Sequence, residues 1–246
     1  MADTSRFMSR LRTKVLPNLH HLPKSELRRC LCCERLTVIA SFSHGEEAKI
    51  CIRCRANLRY EMLAQHLRRM SLTGKSVVEM DNRSPLRHFL AASGAEYIQT
   101  HYSSDEQAGA LDPEGSRCED IQNTTFPDNS IDVIVSSDVL EHVPDLHAAF
   151  KETFRILKPG GVHVFTVPFR EKTARRAEYF DGTIRHLMAP EYHSDPRNPS
   201  GILAYWDFGM DAPEIFGQKS LTLSVAMGPR GRDRRVIWEA KKQELP

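Results

Sequence analysis

Four cysteines in the first quarter of the sequence stand in two pairs, and their spacing indicates a metal site. Cys30 and Cys33 are followed by Cys51 and Cys54 in the pattern C-x2-C-x17-C-x2-C. Two tight turns that each present two thiolates close a tetrahedron around Zn2+, and a site with four sulfur ligands leaves no open position for catalysis. We therefore predict a structural zinc site formed by these four residues.

The residues between the two cysteine pairs indicate the fold that holds the metal. Residues 36–42 are rich in β-forming side chains and His44-Gly45 is typical of a turn, which predicts the hairpin of a zinc ribbon. So short a segment cannot bury enough apolar surface to fold alone, so the metal is needed for its stability. An amphipathic helix over residues 55–70 then connects the ribbon to the rest of the chain.

Two alternatives stay open for the cysteines. The run C-L-C-C allows Cys32 to replace Cys33 as a ligand, although the paired spacing favours Cys33. A disulfide framework is disfavoured, because nothing marks the chain as secreted and Cys118 stands apart from the others.

A second polar group follows an apolar run in the middle of the chain. Residues 131–135 are mostly β-branched and predict a strand buried on both faces, and Ser136, Ser137 and Asp138 follow it directly. Asp145 then occupies the N-cap position of a helix whose apolar residues recur at steps of three and four.

The end of that helix completes a strand–helix–strand unit. Lys158-Pro159-Gly160-Gly161 is expected to end the helix, and residues 162–167 predict a second strand. Such a crossover joins parallel neighbours with right-handed geometry, and parallel sheets bind ligands beyond the carboxyl ends of their strands. The polar run from Ser136 to His142 should therefore face a ligand.

These residues also carry a family resemblance. FPDNSIDVIVSSDVLEHVPD, followed by RILKPGGVHVFTVP, resembles the central and later motifs of class I S-adenosylmethionine-dependent methyltransferases of the type 11 group. The resemblance implies an α/β, Rossmann-like class I methyltransferase fold, with a mostly parallel seven-stranded sheet and an antiparallel last strand. It also implies S-adenosyl-L-methionine as cofactor and methyl transfer to an acceptor whose class the sequence leaves open.

The resemblance further implies where the cofactor binds. Glu79, at the end of the first strand, matches the family's acid, but the turn after it contains no glycine. His101 stands where the family commonly has the acid that holds the ribose, and Asp120 matches the residue at the adenine edge. The full set of implied cofactor-binding residues is Glu79, Asp81, Asn82, His101, Asp120, Ser136, Ser137 and Asp138.

Two histidines are candidate catalytic bases. His142 follows the central strand, and a histidine is largely neutral at pH 7, so it can accept a proton. His193 lies in an insertion over residues 169–210 that we expect to form the acceptor side. The alternatives are that His142 is a buried residue that fixes its loop, and that His186, Glu191 and His193 bind zinc.

Charge is distributed unevenly along the 246 residues. Residues 1–75 hold 15 Lys or Arg against 6 Asp or Glu, whereas residues 76–246 hold 19 against 26. The basic segment predicts contact with RNA or another polyanion, and a solvated arm without a partner is the alternative. No apolar run is long enough to span a membrane and no signal peptide is evident, so we expect a cytoplasmic protein.

The predicted organisation is a basic arm over residues 1–29, a zinc ribbon with its linking helix over 30–70, and a methyltransferase-like domain over 71–246. Methyl transfer from S-adenosylmethionine is the predicted function. A catalytically silent scaffold of the same fold is one alternative, motivated by the missing glycines and by His101. A zinc-ribbon protein that binds and methylates RNA is the other.

Overall fold

A small antiparallel sheet opens the described part of the chain. The computed structural model describes residues 21–42, 45–81, 83–193, 200–217, 220–230 and 234–244. Strands β1 (Glu26–Arg29), β2 (Leu36–Ser41) and β3 (Lys49–Cys51) pair in the order β1-β2-β3. Helix α1 (Leu58–Leu67) follows within the predicted helical segment.

The first predicted boundary needs correction. The arm was expected to extend to residue 29, but β1 pairs with β2 from Glu26↔Ile39 to Arg29↔Leu36. Residues 26–29 therefore belong to the ribbon sheet, because their backbone hydrogen bonds are made there. Residues 1–20 of the predicted arm lie outside the described residues.

The central sheet has seven strands and confirms the predicted fold class. Its strands are β4 (Ser76–Glu79), β5 (Glu96–His101), β6 (Arg117–Cys118), β7 (Ile131–Ser137), β8 (Leu157–Thr166), β15 (Leu221–Arg230) and β16 (Arg235–Lys242). They stand in the order β15-β16-β8-β7-β4-β5-β6, with β8 to β6 parallel and β16 antiparallel to both of its neighbours. The carboxyl ends of β4, β5, β6 and β7 therefore meet at one edge.

Three helices lie among these strands: α2 (Arg87–Ala91), α3 (Leu146–Ile156) and α4 (Ala212–Phe216). Asp145 caps α3 as predicted, since its carboxylate accepts a hydrogen bond of 3.0 Å from the Ala148 amide. The apolar face of α3 packs on the sheet through Phe150, whose ring lies 6.2 Å from that of Phe165.

The start of β8 is the second correction. We expected Lys158-Pro159-Gly160-Gly161 to be a turn before the strand, but β8 already begins at Leu157, directly after α3. The register against β7 shifts between Ile131 and Val133, so the glycines lie in an irregular stretch of the strand. A Cβ on Gly161 would lie 2.9 Å from the Lys158 carbonyl oxygen, which leaves room for glycine only.

The insertion after β8 is built of short strands. These are β9 (Ala174–Arg175), β10 (Ala177–Phe180), β11 (Thr183–His186), β12 (Tyr192–His193), β13 (Ile202–Leu203) and β14 (Trp206–Asp207). They form three two-stranded sheets, β10-β11, β12-β13 and β14-β9. The β12-β13 pair brings His193 opposite Ile202.

The ribbon and the central sheet share one hydrophobic core. Ile39 of the ribbon and Leu63 and Leu67 of α1 belong to the same buried cluster as Val77 and Val133 of the sheet. The ribbon is therefore fixed to the domain by continuous packing. Among the described residues, no helix has the length and apolar character needed to cross a bilayer.

Candidate metal centre and candidate active site

The structure brings the four predicted zinc ligands together. The sulfur atoms of Cys30, Cys33, Cys51 and Cys54 lie within 4.8 Å of one another, and all six cysteines of the chain, each within the described residues, are free thiols. This is the arrangement that a tetrahedral site with four thiolates requires.

The two cysteine turns have the same backbone geometry. The amide of Glu34 donates to the Cys30 carbonyl and that of Arg55 to the Cys51 carbonyl, both at 2.8 Å. Glu34 and Arg55 have φ of 56° and 67°, in the left-handed region that non-glycine residues seldom adopt. Each turn therefore directs two sulfur atoms to the same point.

The choice between Cys32 and Cys33 is visible in the structure. Cys33 belongs to the group of four sulfur atoms, whereas the Cys32 thiol faces the Pro85 carbonyl oxygen at 3.7 Å. Cys32 thus contacts the loop after β4.

Helix α1 holds the first cysteine turn. The buried Glu61 carboxylate accepts from Arg28 at 2.9 and 2.8 Å and from the Leu31 amide at 2.8 Å. Arg68 donates to the Cys32 carbonyl at 2.6 Å. These contacts pair buried polar groups that would otherwise destabilise the fold.

An ion-pair network links the ribbon, formed by β1 to β3, to the edge of the central sheet where the carboxyl ends of its parallel strands meet. We call this edge the ligand edge. The Asp138 carboxylate lies 2.6 Å from the Arg59 guanidinium and 3.1 Å from that of Arg235. Glu47, between β2 and β3, pairs with the same two arginines at 3.4 and 3.3 Å. Asp138, a predicted cofactor residue, therefore has its carboxylate engaged by protein cations.

The two serines predicted to wall the cofactor are buried between strands. The Ser136 hydroxyl and the His163 ring nitrogen lie 2.8 Å apart, and Ser137 and Thr166 hydroxyls lie 3.2 Å apart. Burial lowers the pKa of His163 to about 3, which keeps its ring neutral. Both serine side chains are thus paired across β7 and β8.

The turn after β4 is braced by the ribbon side. Asp81 accepts from the Tyr60 hydroxyl at 3.2 Å and from the Arg83 amide at 2.8 Å. Glu79 is buried, accepts a hydrogen bond from the Tyr97 hydroxyl, and has its pKa raised by burial to about 7. Asn82 lies outside the described residues.

Two further predicted cofactor residues lie at the ends of β5 and β6. His101 is buried and its ring nitrogens contact Glu106 at 2.9 Å and Ser116 at 3.2 Å. Asp120 accepts from the Gln122 amide at 2.9 Å and from the Gln122 side chain at 3.2 Å. It thus shapes a turn, which is the role that polar side chains commonly take in loops.

Sequence reasoning missed an aromatic residue at this edge. Tyr102 directly follows β5 and is 64% exposed. Burial of part of its ring, followed by the neighbouring charge of Asp120, raises the pKa of its hydroxyl. Its place directly after His101 at a strand end was the available signal.

The two predicted catalytic histidines meet. The Nδ1 atom of His193 lies 3.1 Å from Nε2 of His142, and the rings are nearly perpendicular. His142 Nδ1 lies 2.8 Å from the Leu203 carbonyl oxygen, and His193 Nε2 lies 3.2 Å from the Glu191 carboxylate. Residues far apart in sequence are joined here because β12 and β13 of the insertion lie against His142.

The buried carboxylate of Glu141 completes this group, and the sequence predicted only that it belongs to a polar run facing a ligand. Glu141 is 2% exposed, and neither of its carboxylate oxygens has a hydrogen-bond partner among the described residues. Its Oε1 lies 3.7 Å from His142 Nε2 and 3.6 Å from His193 Nδ1. Burial raises the pKa of Glu141, and contact with Glu141 and then Glu191 raises that of His193. The signal was the adjacent pair Glu141-His142 at the end of a strand.

The alternative zinc trio does not assemble as proposed from the sequence. His193 and Glu191 are in contact, but His186 lies on the exposed strand β11. The group of potential metal ligands found here consists of Glu141, His142 and His193. A third such group contains His101, Glu106 and Cys118.

Part of the chain matches a known protein family. Residues 65–165 match the family described as a methyltransferase domain. An S-adenosylmethionine-dependent methyltransferase from Mesorhizobium loti has a related structure, with a TM-score of 0.50 and 15% identity over 77% of this chain and 100% of that one. At that identity the likeness shows the fold alone. The chain thus has a Rossmann-like methyltransferase fold, and residues 65–165 within it match a methyltransferase domain.

Curated relatives match over parts of the chain. An uncharacterized methyltransferase of Mycobacteroides abscessus is 29% identical over 150 residues, which cover 54% of this chain and 57% of that protein. The sterol 24-C-methyltransferase erg6 of Aspergillus fumigatus is 49% identical over 43 residues, which cover 18% of this chain. The match spans only 11% of that sterol enzyme.

Proposed function

We propose that this protein transfers the methyl group of S-adenosylmethionine to an acceptor held between the ligand edge of the sheet and the insertion over residues 169–210. The observation that carries the proposal is the family match over residues 65–165, which includes β4 to β8 and the polar groups at their ends. The insertion supports an acceptor side there, because it brings His193 to His142 at that edge.

The adenosine side of the cofactor fits the residues present. Tyr102 offers an exposed aromatic face, and Asp120 carries a half-buried carboxylate. A carboxylate accepts a hydrogen bond from an exocyclic amine, and aromatic rings stack on bases. We therefore propose that Asp120 binds the adenine amine and that Tyr102 stacks on the base.

The methionine side departs from the family pattern. Asp81 is engaged by Tyr60, and Asp138 is engaged by Arg59 and Arg235. Glu79 contacts Tyr97 in the interior. We propose that these residues hold the loop and strand ends in place, and that backbone groups at that edge contact the methionine part.

Bound S-adenosylmethionine supplies a methyl group that its sulfonium already activates. The chain then has to align the acceptor and exclude water, since alignment alone removes much of the barrier. We propose that His142 and His193 are the side chains that contact the acceptor and take up its proton. The Leu203 carbonyl fixes the His142 ring and directs its Nε2 towards His193 Nδ1 at 3.1 Å, so the two rings can hold and pass one proton.

Calorimetric titration with S-adenosylmethionine tests this proposal. We expect saturable binding by the wild-type chain and binding about tenfold weaker after Asp120→Ala, the loss of one hydrogen bond to a carboxylate. Asp105→Ala, which removes an exposed carboxylate whose contacts are local, is the matched control and should bind like the wild type.

The silent scaffold is the second candidate, and the engagement of Asp81 and Asp138 favours it. The same titration separates the two functions. Absence of binding at high micromolar cofactor would support the scaffold and contradict the enzyme.

We also propose that the four-cysteine group holds a structural zinc ion. The four sulfur atoms and the paired turns around them support this assignment. A zinc ion would supply the free energy that so small a sheet lacks.

A further inference from the structure

The group formed by Glu141, His142 and His193 has the dimensions of a metal site. Its three inner atoms are His142 Nε2, His193 Nδ1 and Glu141 Oε1, separated by 3.1, 3.6 and 3.7 Å. A triangle with these sides has its equidistant point about 2.0 Å from each corner, which is the bond length of Zn2+ to histidine nitrogen and carboxylate oxygen.

The outer hydrogen bonds prepare both rings for such an ion. His142 Nδ1 donates to the Leu203 carbonyl at 2.8 Å, so Nε2 carries the lone pair. The Glu191 carboxylate accepts from His193 Nε2 at 3.2 Å, and in the neutral ring Nδ1 then carries the lone pair. Metal-binding histidines are commonly oriented in this way by a carbonyl or a carboxylate on the other nitrogen.

The inner atoms lie close enough to share a proton or a metal ion. His193 Nδ1 and His142 Nε2 are 3.1 Å apart, the distance of a hydrogen bond in which one ring donates to the other, and a bound cation would take the place of that proton beside the Glu141 carboxylate. Glu141 is 2% exposed and both its oxygens lack a hydrogen-bond partner among the described residues. A buried carboxylate without a partner is costly, and a bound cation removes that cost.

We propose that Glu141, His142 and His193 bind a divalent transition-metal cation, with Zn2+ the best match. Two histidines and one glutamate are a ligand set of zinc sites that keep an open coordination position. The His142 and His193 side chains are 15% and 27% exposed, so one side of the site is open to a further ligand. This site is separate from the four-cysteine group, which has no open position.

A consequence for catalysis rests on the proposed function. The histidine lone pairs that bind a metal are not available as bases. The metal would instead bind an oxygen or nitrogen of the acceptor and lower its pKa, which favours the deprotonated nucleophile that methyl transfer needs.

Metal titration tests the site without any cofactor. The chain is purified with the metal of its cysteine site, treated briefly with a chelator and titrated with Zn2+. We expect one additional equivalent per wild-type chain, and binding at least about 100-fold weaker in Glu141→Gln and His193→Ala, because each removes one of three ligands. His186→Ala, an exposed histidine of the same insertion, should bind like the wild type.

The contact of Glu191 with His193, which orients the ring, gives a second test of the metal site. Glu191→Gln should weaken Zn2+ binding by about 10–100-fold, since it loosens His193 without removing a ligand. Co2+ substitution should add bands typical of nitrogen and oxygen ligands to the thiolate charge-transfer bands of the cysteine site, and those added bands should vanish in Glu141→Gln.

Several results would overturn the proposal. They are absence of an additional equivalent in the wild type, or equal binding in Glu141→Gln, His193→Ala and the wild type. Thermal unfolding confirms that each variant is folded before its affinity is compared. Because the titration contains no S-adenosylmethionine, its failure is distinguishable from failure of cofactor binding.

Discussion

The two candidate metal sites of this protein are assembled in opposite ways. The four cysteines lie on two turns of identical hydrogen bonding, within one small sheet. Glu141 and His142 instead meet His193 only because an insertion folds back over the end of β7. The first site is local and visible in a spacing, whereas the second depends on the tertiary fold.

The surroundings of the two sites differ as well. Around the cysteines, charged groups such as Glu61 and Arg68 are paired with the turn that they hold. At the ligand edge, Asp138 lies 2.6 Å from the Arg59 guanidinium, whereas Glu141 contacts histidine nitrogens at 3.6 and 3.7 Å. Asp138 is thus held by a permanent cation, and Glu141 by groups that can also bind a metal.

The largest expected effect concerns the cysteine site. Cys51→Ser should abolish zinc binding at the cysteine site and unfold the ribbon, because a structural zinc contributes about 10–16 kcal/mol of apparent binding free energy. Metal content per chain and circular dichroism measure the two effects. Cys32→Ser is the matched control and should keep its zinc, since that thiol faces Pro85. Equal metal content in Cys51→Ser and the wild type would contradict the assignment.

Breaking the ion pairs of Asp138, which connect the ribbon side to the ligand edge, should have the next largest effect on stability. Asp138→Ala leaves Arg59 and Arg235 without their shared carboxylate, and we expect a loss of about 3 kcal/mol in the free energy of unfolding. Denaturant unfolding measures it. Asp128→Ala breaks an exposed pair with Arg155 and should cost less than about 1 kcal/mol. Similar losses of unfolding free energy in both variants would show that the Asp138 pairs stabilise the fold no more than an exposed ion pair does.

The buried carboxylate of Glu79 should make stability depend on pH. Its pKa is about 7 in the folded chain and 4.5 when exposed, so the unfolded state ionises first as pH rises. The free energy of unfolding should therefore fall between about pH 4.5 and 7, by about 3 kcal/mol, and Glu79→Gln should lack this fall. Unfolding curves across that range measure it, with the exposed Glu96→Gln as control. A parallel decline in wild type and Glu79→Gln would remove Glu79 as the cause.

The smallest effect is expected at the helix that follows the second site. Asp145→Ala removes the side-chain cap of α3 and should cost about 1 kcal/mol. Asp145→Asn keeps a capping oxygen and should retain most of the stability. Thermal unfolding of both variants measures the difference, and an equal loss in the two would attribute the effect to charge.

Much of the fold could be predicted because its signals are local. The β-branched run of β7, the cap at Asp145 and the cysteine spacing each depend on neighbouring residues. The irregular start of β8 was missed, since Pro159 and the glycines normally end an element, and here pairing with β7 overrides that preference.

The candidate site was predicted less completely for a physical reason. His142 and His193 could be chosen by residue type, but the role of Glu141 depends on its burial and on its contact with both histidines in the folded chain. Likewise, nothing in the sequence shows that Asp138 is paired with arginines from α1 and β16. Such pairings arise only when distant segments are packed together.

The contacts of the loop after β4 connect the proposed zinc site to the ligand edge of the central sheet. Tyr60 of α1 contacts Asp81, and Cys32 of the first cysteine turn contacts Pro85. If the proposed zinc ion is removed, this loop should lose its support before the central sheet unfolds, so binding at the ligand edge would report the availability of the metal.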